Sequence, residues 1–178
     1  VGDTRPDGFT AATPLGEIGA GSPVGASLSD MVVGLIPGSI GETSVIAIAI
    51  GAILLLWTGI ASWKTMLSVF VGGGVVAALF ECGAMTPIPW YEHLVLGGFA
   101  FGAVFMATDP VTSCRTECGK WVYGFMIGAV AIVIRVMNPG YPEGMMLAIL
   151  LMNMFAPLID YCVVQRNISK RAKRVANK

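Results

Sequence analysis

The stretch Asp7-Gly8-Phe9-Thr10-Ala11-Ala12-Thr13-Pro14-Leu15 sets two threonine hydroxyls in a short polar opening, just ahead of a strongly apolar chain. A threonine hydroxyl is a weak nucleophile at neutral pH and needs an adjacent base or metal. Nothing beside Thr13 supplies one. Covalent chemistry there would be installed by a separate enzyme, which needs a slim, exposed segment. Ala11 and Ala12 are small, and Pro14 limits helix continuation.

Three carboxylates stand at the edges of apolar segments: Glu42, Asp109 and Asp160. Ionisable groups at membrane depth are costly, so each is a functional candidate. Each also has a plain structural use. Ser39-Ile40-Gly41-Glu42 fits a capping box, with Ser39 as N-cap. Asp109 before Pro110 suits the cap and first turn of a short helix. Asp160 closes the last apolar segment, where a carboxylate opposes the helix dipole. Pairing with Arg166 would explain it. So would a sodium site, because carboxylates and backbone carbonyls freed at a helix break are hard oxygen donors, and Pro157 frees one.

The remaining polar groups carry weaker signals. Arg135 ends an apolar segment and is expected to snorkel, or to attract a phosphate. Glu143 is expected to sit at the start of the last helix, and His93, the single histidine, to be structural. Cys114 and Cys118 are spaced C-x3-C rather than the C-x2-C of common zinc and redox sites, with no second ligand pair in sight. They are expected to be loop or interface thiols, with no metal.

The elements that must position these residues are helices in a membrane. Of the 178 residues, 55% are hydrophobic and 12% charged, against about 25% charged in soluble domains. The mean hydropathy is +0.75. Five apolar segments follow the opening: Thr43 to Trp63, Thr65 to Gly83, His93 to Thr108, Trp121 to Met137, and Gly144 to Ile159. The first has 21 residues, about 31 Å as a helix against a hydrocarbon core of about 30 Å. The others are shorter, and several carry glycines that allow close helix contact or a broken helix. Met31 to Ile36 is apolar but too short to span, fitting a half-helix or an interfacial turn. With no initiator Met and no signal-peptide pattern, the chain is expected to be a C-terminal fragment of a longer protein.

Loop charge orients the bundle. Five crossings put Lys64, Arg115, Lys120 and the tail residues Arg166, Lys170, Arg171, Lys173, Arg174 and Lys178 on one side, nine basic residues in all. Only Arg5 and Arg135 fall on the other. The positive-inside rule makes the first side cytoplasmic and places Thr13 on the outer, periplasmic side. The expected organisation is an outer-face loop with a candidate half-helix over 1–42, a transmembrane bundle over 43–165, and a basic cytoplasmic tail over 166–178.

The opening resembles the Asp-Gly-x-(Ser/Thr)-(Gly/Ala/Ser)-Ala-Thr motif of the NqrB/RnfD family. That family unites a membrane subunit of the sodium-translocating NADH:quinone reductase with its counterpart in the Rnf complexes. The likeness continues through Pro37 to Ser44, Met106 to Ser113, Ile134 to Gly144 and Asn153 to Asp160. Ala11 stands where the family often has glycine, a mild departure. The basic tail is more similar to the reductase member than to the Rnf one.

The resemblance implies an all-α fold, the second half of a urea-transporter-like inverted repeat, in a bacterial inner membrane. It implies FMN joined through its phosphate to the Thr13 oxygen by a flavin transferase, with Asp7, Gly8, Thr10 and Ala12 in the recognition motif. Riboflavin is an expected cofactor elsewhere in the full-length protein. Glu42, Asp109 and Asp160 are implied in sodium movement. The expected partners are other subunits of a multi-subunit membrane reductase, ubiquinone, sodium and lipid; nucleic acid is not among them. NADH would be oxidised by another subunit, since no dinucleotide fingerprint is present. The rivals are an Rnf-type protein working between ferredoxin and NAD, a non-redox channel of urea-transporter type that needs no flavin, and a purely structural membrane protein.

Overall fold

The computed structural model describes residues 28–35, 41, 43–86, 89–138 and 143–176. The elements are α1 (Leu28–Val33), α2 (Val45–Trp57), α3 (Trp63–Cys82), α4 (Trp90–Val95), α5 (Phe99–Phe101, running on as a π-helical turn over Gly102–Met106), α6 (Glu117–Met137) and α7 (Met145–Ala176). No strand occurs among the described residues. The protein is an all-α membrane protein.

Among the described residues three helices, α3, α6 and α7, are long and apolar enough to cross a membrane. On α3 the residues Leu67, Val71, Val75 and Leu79 recur every fourth position and are all exposed, while Met66, Val69 and Ala77 on the opposite face are buried. A stripe of exposed aliphatic side chains is disfavoured in water but matches lipid. The five expected crossings therefore differ in kind. The first is a helix of 13 residues, about 20 Å long. Its N-cap is Ser44, whose side chain accepts from the Ala47 N–H at 3.4 Å, rather than Ser39. It stops at Thr58, whose hydroxyl turns back onto the carbonyls of Leu54 and Leu55. Trp63, expected to end this segment, instead opens α3.

The third segment is broken. α4 stops at Val95, and Gly97 takes φ +63°, a conformation that L side chains rarely adopt. The chain resumes as α5 and then widens, so that the Ala107 N–H donates to the Gly102 carbonyl five residues back. Such π turns recur at functional sites. The segment still runs from one end of the bundle to the other. His93 touches Arg135 at the end of α6, Gly102 lies against Met145 and Ile149 of α7, and Cys114 touches Ala156.

α3 and α6 run parallel at close range. The Ser68 hydroxyl donates to the Trp121 carbonyl, and Gly128 lies against the Val69 carbonyl, where a Cβ would collide with backbone. α7 runs antiparallel to α6, with Asn153 beside Tyr123 and Gly144 beside Ile134. Phe99, Tyr123, Ile127, Ile132 and Ala148 are completely buried between them. α7 continues well past Ile159 and through the expected tail boundary at 165/166, reaching 32 residues. Lysine and arginine are good helix formers, so charge alone does not end a helix.

This topology sorts the charges. Lys64, Arg115, Glu117, Lys120 and Asp160 gather at the end where α3 and α6 begin, and the basic continuation of α7 leaves from that end. Glu81, His93 and Arg135 lie at the opposite end. Lys64, Arg115, Lys120 and the tail thus share one end, as their loop positions predict.

Candidate functional site

The start of α6 is built around Asp160. One carboxylate oxygen accepts from the Arg115 N–H at 2.8 Å. The other accepts from the Thr116 N–H at 3.1 Å and the Thr116 hydroxyl at 2.6 Å. Thr116 is itself the N-cap of α6, its hydroxyl accepting from the Gly119 N–H at 3.1 Å. Asp160 therefore lies within α7 rather than at a helix C-terminus, and its partners are the N-cap residue of α6 and the residue before it rather than Arg166. The electrostatics also reverse the sequence expectation: a carboxylate at a helix N-terminus is favoured by the dipole.

Asp109 lies in the turn that precedes this anchor. Its carboxylate accepts from the Val111 N–H at 3.2 Å and the Thr112 hydroxyl at 2.8 Å. The Thr112 hydroxyl, then the Val111 N–H, hold the Asp109 carboxyl below the usual carboxylate range. Asp109 thus caps a single turn, where the sequence suggested the start of a short helix. The structure brings Asp109 and Asp160 to the same end, the two joined through the segment 109–116.

Beneath that segment Cys114 is buried, its thiol donating to the Ala156 carbonyl at 3.4 Å. Burial, then the Asp160 carboxylate, push the thiol up to about 12. Cys118, on the first turn of α6, is exposed. Among the described residues no three His, Cys, Asp or Glu side chains converge on a metal position. Deeper in the bundle the Tyr123 hydroxyl donates to Asn153 Oδ1. Pro157, inside α7 and lacking an N–H, cannot satisfy the Asn153 carbonyl four residues back. The interior thus holds a polar pair beside a freed carbonyl, which sequence reasoning named only through Pro157.

At the opposite end Arg135 departs from expectation. It is 7% exposed and does not snorkel. Its guanidinium donates to the carbonyls of His93 at 2.6 Å and Leu96 at 3.1 Å. These acceptors stand where α4 ends and helical donors run out. The guanidinium also lies 6.0 Å from the Phe99 ring centroid. The His93 ring meets the Thr86 hydroxyl at 3.2 Å and is buried, a structural position. Glu143 precedes α7 by two residues and is exposed.

Thr13, Asp7, Gly8, Thr10 and Ala12 lie outside the described residues, as does Glu42. Sequence reasoning missed Thr116 and the Lys64–Glu117–Lys120 cluster. A threonine ahead of Glu117 was a readable cap signal, but the apolar run that marks this helix starts only at Trp121.

Comparison with known proteins bears on these arrangements. The NQR2, RnfD, RnfE family profile matches residues 3–169. The NqrB subunit of the Na(+)-translocating NADH-quinone reductase of Chromohalobacter salexigens is 54% identical over 179 residues, which cover 96% of this chain and 44% of that protein. The protein of the same name from Klebsiella pneumoniae subsp. pneumoniae is 49% identical, with 96% and 45% covered. The one from Azotobacter vinelandii is 49% identical, also with 96% and 45% covered. The chain therefore spans a little under half the length of these relatives. It belongs to the NQR2, RnfD, RnfE family.

Proposed function

We propose, with that family membership as premise, that this chain is part of the NqrB membrane subunit of a sodium-translocating NADH:quinone reductase and carries FMN in phosphoester linkage on Thr13. The observation that supports this most is the Asp7–Thr13 motif in a chain about half identical to proteins named as that subunit. The same relatives favour the reductase over its Rnf counterpart. Bound FMN supplies a carrier that takes up and releases electrons singly or in pairs.

The chain's own residues do the rest. Asp7, Gly8, Thr10 and Ala12 present Thr13 to a flavin transferase. Arg135 is assigned to the helix break rather than to the flavin phosphate, since it is buried with both terminal nitrogens on the His93 and Leu96 carbonyls. The end bearing Lys64, Arg115, Lys120 and the α7 tail faces the cytoplasm of a bacterial inner membrane, and Thr13 faces the periplasm. The partners are the other reductase subunits, ubiquinone and sodium.

Glu42, Asp109 and Asp160 are assigned to sodium movement. For Asp160 the geometry sets a condition. Its carboxylate already accepts three hydrogen bonds from Arg115 and Thr116, two of them on one oxygen. Sodium would meet the oxygen that accepts a single bond, from the Arg115 N–H, and would compete with the hold on the start of α6 if it took both oxygens. Asp160 thus acts as a latch on the segment 109–116 as well as an ion ligand.

The test is covalent flavin on the full-length protein co-expressed with its transferase. Denatured protein on a gel should fluoresce as flavin, and mass spectrometry should place FMN on the Thr13 peptide. Thr13→Ala should abolish both signals, whereas Thr10→Ala, which weakens the recognition motif but keeps the acceptor hydroxyl, should at most lower the yield and leave the FMN on Thr13. Absence of covalent flavin from the assembled complex would overturn the redox assignment and favour a passive channel.

A further inference from the structure

Because α3 and α6 run parallel, both helices begin at the same end, and an open pocket of about 300 Å³ lies between their first turns. It is lined by the turn Gly59 to Ser62 together with Trp63, Lys64, Glu117 and Lys120. Lys64 and Lys120 both contact Glu117, so two cations share one carboxylate and one positive charge is left over. The lysine side chains are only 29% and 23% exposed, whereas Glu117 is 62% exposed. The ammonium groups are thus held against the protein, and the carboxylate stands outward. Lys64 is further held 5.7 Å from the Trp63 ring centroid. Ser62, the N-cap of α3, makes no side-chain capping bond. The leading N–H groups of α3 are left for another acceptor.

Deeper along the same seam is a second open pocket of about 330 Å³, lined by Ser68, Val71, Trp121, Val122, Phe125 and Met126. Its one hydroxyl, on Ser68, is turned into the Trp121 carbonyl, so the lining is apolar. Lys64 and Val71 are seven residues apart on α3, about 10 Å along the axis. Trp63 and Trp121 meet edge to face between the two pockets, with centroids 6.2 Å apart. Tryptophan at a helix end marks the headgroup level of a bilayer.

We infer that this seam is a binding site for an anionic phospholipid, with its phosphate between Lys64 and Lys120 and one acyl chain in the groove of Val71, Trp121, Phe125 and Met126. The leftover charge matches one phosphodiester. Basic pockets between membrane helices on the positively charged side favour anionic headgroups. A free phosphate has no use for the apolar groove, and a zwitterionic lipid brings no net charge to the lysines. A crossing helix of another protein would have to bring an acid to this depth. The inference rests on the membrane placement of α3 and α6 and not on the flavin.

Native mass spectrometry of the full-length protein in mild detergent tests it, with phosphatidylglycerol, phosphatidylcholine or inorganic phosphate added in turn. Phosphatidylglycerol should be retained and phosphatidylcholine lost. Joint Lys64→Gln and Lys120→Gln should weaken phosphatidylglycerol retention about tenfold or more. Met126→Trp, which fills the groove from an exposed position, should weaken it as well while leaving thermal stability unchanged. Equal retention of both lipids, or indifference to both variants, overturns the site. Displacement of the lipid by millimolar inorganic phosphate reduces it to an anion pocket and also overturns it. So does efficient cross-linking of a Met126→Cys variant to another polypeptide in the native membrane, which would show that protein covers the groove.

Discussion

The two ends of the bundle solve opposite problems with opposite charges. At one end a helix begins, and Asp160 gathers the N–H groups of its cap residue Thr116 and of Arg115 just before it. At the other a helix breaks, and Arg135 gathers the carbonyls that α4 leaves behind. Neither charge makes an ion pair among the described residues. The difference lies in solvent. Arg135 is buried, whereas Asp160 is only partly so. Where water cannot replace a lost hydrogen bond, the orphaned backbone bears the full desolvation penalty. The buried end should therefore be the less tolerant.

Arg135→Met is expected to have the largest effect, since it strands two carbonyls among buried side chains. The expected loss is about 3 kcal/mol or more, read as thermal stability of the full-length protein in mild detergent. Arg135→Lys should recover part of it, because one ammonium can reach one of the two carbonyls. If Arg135→Met proves milder than Asp160→Asn, burial does not decide the contrast between the ends.

Asp160→Asn comes next. An amide keeps one acceptor oxygen but loses the charge that suits a helix N-terminus. The expected loss is about 1–3 kcal/mol, with a local signature as well. Cys114 lies under the segment that Asp160 holds, so its alkylation should speed up in the variant, while that of exposed Cys118 should not change. Loss of sodium-dependent turnover without faster Cys114 labelling would separate an ion-ligand role from the latch.

How much of this was legible beforehand follows the same division. The apolar runs declared the membrane helices, because hydrocarbon demands a long uninterrupted apolar surface. The glycines at 97 and 98 foreshadowed the broken segment. For Asp109 the capping part of the reading was legible because an Asx turn is local, fixed by residues within three positions, although the short helix expected after it is only a turn. Arg135 and Asp160 were misread for a shared reason. Each bonds across more than 35 residues of sequence, Arg135 to Leu96 and His93, Asp160 to Arg115 and Thr116. A charge near the end of an apolar run looks as if it should reach water, and only the tertiary fold reveals stranded backbone within range. The end of the apolar run in α7 was itself misleading, because the basic tail extends the helix.

Asp109→Asn tests a weaker version of the Asp160 end, one confined to a turn open to water. Its folded-state value is depressed, so the unfolded chain binds more protons in the window just below the ordinary value of 3.8. The stabilisation is present above that value and lost as pH falls through the lower, folded one. The wild type should lose slightly more stability than Asp109→Asn on acidification through that window. Equal pH dependence would mean that the turn does not need the charge.

The smallest expected effect is at Glu117, although its contacts look the most substantial. It meets both Lys64 and Lys120, but its side chain is 62% exposed. Water and salt take the place of whatever the lysines lose. Glu117→Gln should leave thermal stability unchanged within error at physiological ionic strength. It should, however, raise the positive charge between α3 and α6, and so tighten retention of phosphatidylglycerol over phosphatidylcholine. A variant that is measurably destabilised would mean that the ion pair pins the parallel helices together, and that the tolerance of this end comes from packing rather than from access to water.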